Sequence, residues 1–141
     1  MKLNSLSLAA LLAATTLSAQ AQTEITWWHS MTAFNNEWVN TLAKQFNESQ
    51  KAYKVTPIYK GSYDESMTAA IAAFRAGNAP HILQVFEVGT ATMMASKGAI
   101  VPAGKVMADA GKKFDANAYI AAVAGYYTAP NGQMLSFPYN S

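Results

Sequence analysis

The sequence predicts an α/β fold in which a parallel-rich sheet is flanked by helices, and three observations predict it. Segments 24–28 and 53–59 are β-prone, and each gives way to a helical pattern. Residues 82–88, Ile-Leu-Gln-Val-Phe-Glu-Val, have the length and apolar content of a strand covered on both faces, which a parallel sheet between helices provides. Strand, helix, strand, helix, strand, helix in that order implies right-handed crossovers between parallel neighbours.

The chain opens on a segment that stands apart from the fold. Lys2 supplies a positive start, residues 6–17 an apolar stretch and Ala19-Gln20-Ala21 a small-residue cleavage motif, so residues 1–21 are expected to be a signal peptide. The stretch is too short and too rich in Ala and Thr for a spanning helix, and the mature fold is expected to start near Gln22.

After the first strand, Phe34, Trp38, Leu42 and Phe46 recur at four-residue spacing with Asn36, Lys44 and Gln45 between them, an apolar helical stripe expected to end near residues 47–50. The second strand contains Pro57, which cannot donate to a ladder, so this strand is expected at or near an edge. The loop Lys60-Gly61-Ser62-Tyr63 leads into a helix that Ser62 or Asp64 can cap, with Glu65 favourable in its first turn. Met67, Ile71 and Phe74 are its expected buried stripe, and Gly77 and Pro80 its stop. The third strand ends on Glu87, and Gly89 or Thr90 is expected to begin a short helix through Ser96 that Gly98 stops. Residues 106–110 and 117–122 then read as short helices and Pro130-Asn131-Gly132 as a turn.

Composition excludes several classes. Lys2 is one of 10 Lys and Arg, so its removal with the leader leaves 9 basic against 8 acidic side chains. That balance is too even to steer nucleic acid or an acidic membrane. The absence of cysteine excludes disulfides and thiolate chemistry. No H-E-x-x-H, G-x-S-x-G, Walker or dinucleotide motif is present, and no catalytic residue, metal or cofactor is expected. The adjacent pair Asp64-Glu65 is explained by helix capping. His29, a lone imidazole beside Ser30 without an acid at motif spacing, reads as a structural hydrogen-bonder. Met93-Met94 reads as core packing, and Asn47-Glu48-Ser49 matches a glycosylation triplet, a very weak signal.

In a parallel sheet the strand ends at residues 28–30, 59–63 and 87–90 point the same way, toward the edge where ligands sit. They bring aromatic rings, hydroxyls, one carboxylate and the free N–H groups of helix starts. A carboxylate is costly to bury without a partner, which makes Glu87 at a strand end informative. Glu87 with Tyr63 and the tryptophans offers a small polyol both hydroxyl acceptors and flat apolar faces. Trp27 and Trp28 point to opposite faces, so one of them is expected in the core.

Four segments carry a family resemblance: Trp28-His29-Ser30-Met31, Tyr59-Lys60-Gly61-Ser62-Tyr63, the block 72–96 and Pro138-Tyr139-Asn140-Ser141. They resemble the periplasmic sn-glycerol-3-phosphate-binding proteins of bacterial ABC importers, within extracellular solute-binding protein family 1, over nearly all of the chain after the leader. The resemblance implies a periplasmic-binding-protein-like fold of the two-lobe type II, closing over its ligand, with residues 22–141 as an incomplete amino-terminal part of the first lobe. It implies a monomeric, non-enzymatic receptor in the periplasm whose small-molecule ligand is glycerol-3-phosphate or its glycerophosphodiesters. Its partners would be the ABC permease subunits of the inner membrane, and no cofactor is implied.

By the same resemblance Tyr63 and Glu87 are ligand contacts. Ser141, in a position just before the contacting serine of an Asn-Ser-Ser run, and Trp28 are neighbours of the site. The arginine expected to hold the phosphate falls outside the matched stretch. Lys60 lacks a bidentate grip, so weak or no binding is expected of these 141 residues in isolation.

Other readings compete with a glycerol-3-phosphate receptor. The cargo could instead be a neutral oligosaccharide. An exported glycoside hydrolase using Glu87 with Asp64 or Glu65 would need two carboxyl groups roughly 5 to 9.5 Å apart across a cleft. A domain that docks a permease without carrying solute is the remaining alternative.

Overall fold

A computed structural model describes residues 21–96, 98–113 and 115–139. The expected signal peptide, except for its last residue, and the site neighbour Ser141 lie outside the described residues.

Strands β1 (Thr23–His29), β2 (Tyr53–Tyr59) and β3 (Ile82–Leu83) form a parallel sheet in the order β2-β1-β3. β1 pairs with β2 from Thr23 opposite Tyr53 to His29 opposite Tyr59. It meets β3 at Trp27 opposite Ile82 and Trp28 opposite Leu83. Helix α1 (Ala33–Ser49) connects β1 to β2, and α2 (Tyr63–Arg75) connects β2 to β3. Helices α3 (Glu87–Ala95), α4 (Ala103–Asp109) and α5 (Ala121–Tyr126) follow, with a 3-10 turn at Ala116–Ala118 before α5. The first crossover moves to one side of β1 and the second passes back to the other, so right-handed connections put α1 and α2 on opposite faces of the sheet. No helix among the described residues is long and apolar enough to cross a membrane.

Among the described residues β2 lies at an edge of the sheet, as Pro57 predicts. Two side chains from the end of α1 close that edge. Asn47 donates to Val55 O at 2.8 Å and accepts from Val55 N–H at 2.7 Å. Gln50 donates to Tyr53 O at 2.7 Å and accepts from Tyr53 N–H at 2.8 Å. Each amide thus supplies the bonds that a neighbouring strand would make, which blunts an otherwise open edge. The asparagine of the glycosylation-like triplet is committed to this role.

The helix positions match the sequence pattern, but their inward lines do not. On α1 the deepest residues are Val39 and Ala43, whereas Phe34, Trp38 and Phe46 are exposed. On α2 they are Ser66 and Ala70, with Ile71 and Phe74 exposed. Small side chains let a helix approach closest to a sheet, and the large ones spread to the flanks of the contact. The helix ends follow the expected chemistry. Ser62 Oγ accepts from Glu65 N–H at 3.3 Å while Glu65 Oε2 accepts from Ser62 N–H at 2.7 Å, a reciprocal capping box. Gly61, at φ +82°, leaves room for that carboxylate. At the other end Gly77, at φ +74°, donates to Phe74 O and Asn78 to Ala73 O, which stops the helix before Pro80.

The third strand departs most from expectation. It covers two residues instead of 82–88, and Ile82 is 45% exposed instead of buried. Gln84 N–H still donates to Trp28 O at 2.9 Å, but the chain then leaves the sheet, Phe86 becomes the N-cap of α3, and Glu87 opens that helix instead of closing a strand. A strand flanked on one side among the described residues gains ladder bonds from β1 alone, too little to hold the whole apolar run flat. Consequently α3 begins earlier than Gly89. Further on, α4 overlaps the expected helix at 106–110, whereas the helix expected at 117–122 is instead a 3-10 turn at Ala116–Ala118 with α5 starting only at Ala121. The Pro130 turn closes a short hairpin bridged at Thr128 and Met134.

Candidate functional site

Parallel pairing brings the carboxyl ends of β1 and β2 and the segment after β3 to one edge. Backbone bonds stitch them together: Lys60 N–H donates to His29 O and Gln84 N–H to Trp28 O, both at 2.9 Å. A buried side chain completes the seam, with Gln84 Oε1 accepting from Ser30 N–H at 3.0 Å.

His29 is the floor of this edge. It is 1% exposed, lies between Trp27 and Tyr59, and accepts from Met31 N–H through Nδ1 at 3.3 Å. Burial holds its pKa below the ordinary imidazole value, so the neutral form is favoured with the proton on Nε2. This is the structural hydrogen-bonding role its sequence context predicts.

Tyr63 and Glu87 lie near one another at this edge. Tyr63 opens α2, and its ring stacks on Phe86 with centroids 5.1 Å apart and planes inclined by 29°. Phe86 is the residue before Glu87, so the stack brings the starts of α2 and α3 side by side. Desolvation, and then the nearby Glu87 carboxylate, raise the pKa of Tyr63. Tyr127 is raised by the same causes in the same order, with Tyr126 adding a smaller effect. Two phenols from distant parts of the chain therefore feel the Glu87 carboxylate, and both stay protonated at neutral pH.

Three tyrosines beyond the predicted set belong to this cluster. Tyr126 donates its phenol to Glu87 O at 2.7 Å and makes an edge-to-face pair with Tyr127 at 5.0 Å. Tyr139 lies edge-on to Trp27 at 5.7 Å and against Trp38 at 5.4 Å. Its pKa is pushed up to about 12 by burial and by Tyr63. The Tyr139 hydroxyl and Ser30 Oγ are buried without a hydrogen-bond partner among the described residues. Sequence reasoning passed over these tyrosines because their segment has weak periodicity. The adjacent pair Tyr126-Tyr127 after a glycine was the available signal.

Trp28 points to the sheet face opposite Trp27, and the Lys60 ammonium sits 3.9 Å from the centroid of its ring. The lysine places a positive charge over an aromatic face at the carboxyl end of β2. An apolar hollow of about 360 Å³ lies elsewhere, between α1 and the sheet, lined among others by Ile25, Leu42, Phe46, Val55 and Ile82. Its lining is apolar and includes Trp27 but neither Glu87 nor Tyr63, Tyr126, Tyr127 or Tyr139, so it is a gap in packing and not the candidate site.

The cluster can donate hydroxyl hydrogens from several phenols, accept at one carboxylate and present flat apolar faces, the complement of a small polyhydroxy compound. Glu65, one proposed partner of Glu87 for hydrolysis, is engaged in the capping box of α2. Among the described residues no group of His, Cys, Asp or Glu is arranged to hold a metal ion.

Comparison with known proteins identifies the family. Residues 41–141 match the family described as bacterial extracellular solute-binding protein. The chain is 57% identical over 123 residues to the sn-glycerol-3-phosphate-binding periplasmic protein UgpB of Brucella abortus (strain 2308), covering 87% of this chain and 28% of that protein. It is 54% identical over 123 residues to the protein of the same name from Rhizobium meliloti (strain 1021), covering 87% and 29%. Against that of Yersinia enterocolitica it is 54% identical over 133 residues, covering 94% and 30%. The chain spans under a third of the length of these curated relatives. A family match over most of its residues, carried on a parallel α/β sheet with a polar cluster at the carboxyl edge, places the chain in the bacterial extracellular solute-binding protein family.

Proposed function

We propose that the protein is the solute-binding subunit of an ABC importer, capturing sn-glycerol-3-phosphate and its glycerophosphodiesters in the periplasm and delivering them to permease subunits of the inner membrane. The observation that carries this reading is the stack of Tyr63 on Phe86 that brings Glu87 beside Tyr63 at the sheet edge, in a chain 57% identical to a glycerol-3-phosphate-binding protein over 123 residues. In this reading Glu87 accepts from the glycerol hydroxyls, Tyr63 donates to the ligand, and Trp28 with its stacked Lys60 borders the site. The phosphate is held mainly by groups outside these residues. The protein binds and releases its cargo unchanged, as a receptor and not an enzyme.

Intrinsic tryptophan fluorescence of the full-length protein tests it. Glycerol-3-phosphate is expected to change the emission saturably, and maltose to leave it unchanged. Saturation by maltose alone would keep a receptor and overturn the cargo. Steady consumption of either compound would overturn the non-enzymatic reading.

A further inference from the structure

We infer that Tyr126 is a positioning residue for the binding site, fixing the first turn of α3 and thereby the direction of the Glu87 carboxylate. The inference rests on the reading of Glu87 as a ligand contact.

The need for such a residue follows from the local structure. Glu87 is the first residue of α3, a nine-residue helix whose N-cap, Phe86, offers no side-chain capping bond. Helix starts without a cap fray, and a fraying first turn swings the side chain it carries. A carboxylate that must meet a ligand hydroxyl within a few tenths of an ångström needs its backbone held.

Tyr126 supplies that hold from a closed unit. It ends α5, and the chain after it forms the hairpin bridged at Thr128 and Met134. The hairpin carbonyls of Leu135 and Met134 accept from Ala103 and Gly104 N–H at the start of α4, at 3.2 and 2.9 Å. Helix α5, the hairpin and α4 are thus joined by their own hydrogen bonds. The Tyr126 phenol reaches out of this unit to Glu87 O at 2.7 Å, across 39 residues of sequence. Its edge-to-face contact with Tyr127 fixes the ring from which the hydroxyl projects. The bond goes to the backbone, so it leaves both carboxylate oxygens of Glu87 available to a ligand.

A binding cycle in the full-length protein separates this role from a general structural one. Tyr126→Phe keeps the ring pair and removes the hydroxyl. It is expected to weaken glycerol-3-phosphate binding about three- to tenfold, the effect of one neutral hydrogen bond. In the Glu87→Ala background, where the carbonyl remains and the carboxylate is gone, the same substitution is expected to cost nothing further. Amide exchange of residues 90–92, whose N–H groups pair into the first turn of α3, should also become faster in ligand-free Tyr126→Phe.

An unchanged exchange rate, an unchanged affinity, or an equal loss in the Glu87→Ala background overturns the positioning role and leaves the ligand reading standing. Undiminished binding by Glu87→Ala alone overturns both.

Discussion

Gln84 and Ser30, 54 residues apart, share a buried hydrogen bond of 3.0 Å that joins the end of β1 to the end of the short β3. The acceptor is a side-chain amide oxygen and the donor a backbone N–H. Gln84→Ala leaves that N–H buried and unpaired, and an unfolding titration should show a loss of about 1 to 3 kcal/mol.

The Asn47 clip on Val55 makes a second prediction. Asn47→Ala removes two bonds, of 2.7 and 2.8 Å, and uncovers part of the β2 edge. A destabilisation of about 1 to 2 kcal/mol is expected, together with faster aggregation by light scattering at raised protein concentration. Unchanged solubility would show that the edge is protected by other means.

At the start of α2, stability should depend on acidity through Glu65. The Ser62 backbone bond, and then the Ser62 side-chain bond, lower its pKa from the ordinary 4.5. A lowered folded value means that the unfolded chain binds the proton more readily. The contribution is therefore complete above pH 4.5 and is lost as the pH falls through the folded value. Glu65→Gln, which cannot ionise, should flatten this part of the stability profile. Ser62→Ala, which keeps the backbone N–H to Glu65, should retain most of the slope and cost about 1 kcal/mol at neutral pH.

His29 acts at a higher pH with the same sign. Burial lowers its pKa from 6.5, so folding favours the neutral ring, and stability is complete above pH 6.5 and declines as the pH falls below it. Thermal melts from pH 7.5 down to pH 5.5 should show this decline. His29→Gln, which cannot charge, should remove the slope between these values.

Much of this architecture is legible in the sequence because it rests on local chemistry. Pro57 predicts an edge, Ser62 or Asp64 a cap, Gly77 a stop, and alternation of strands and helices a parallel sheet. The boundary at Glu87 is not legible in the same way. An apolar run reads equally as a buried strand or as a strand end followed by a helix, and the outcome depends on how many neighbours the strand has. The inward lines of α1 and α2 also mislead, because periodicity selects the largest apolar residues while close packing selects Val39, Ala43, Ser66 and Ala70. Tyr63 and Glu87 are proposed from strand ends and family resemblance together. Tyr126 and Tyr139 enter through contacts 39 and more residues away, which no local pattern records.

The central claim is that Glu87 stands in the path of a phosphorylated polyol, and calorimetric titration of glycerol-3-phosphate into the full-length protein and its Glu87→Ala variant tests it most directly. Loss of a charged hydrogen bond of about 2 kcal/mol predicts saturable binding by the unmodified protein and roughly thirtyfold weaker binding by the variant. Equal affinity in the two proteins, or no heat with the unmodified one, would contradict the account.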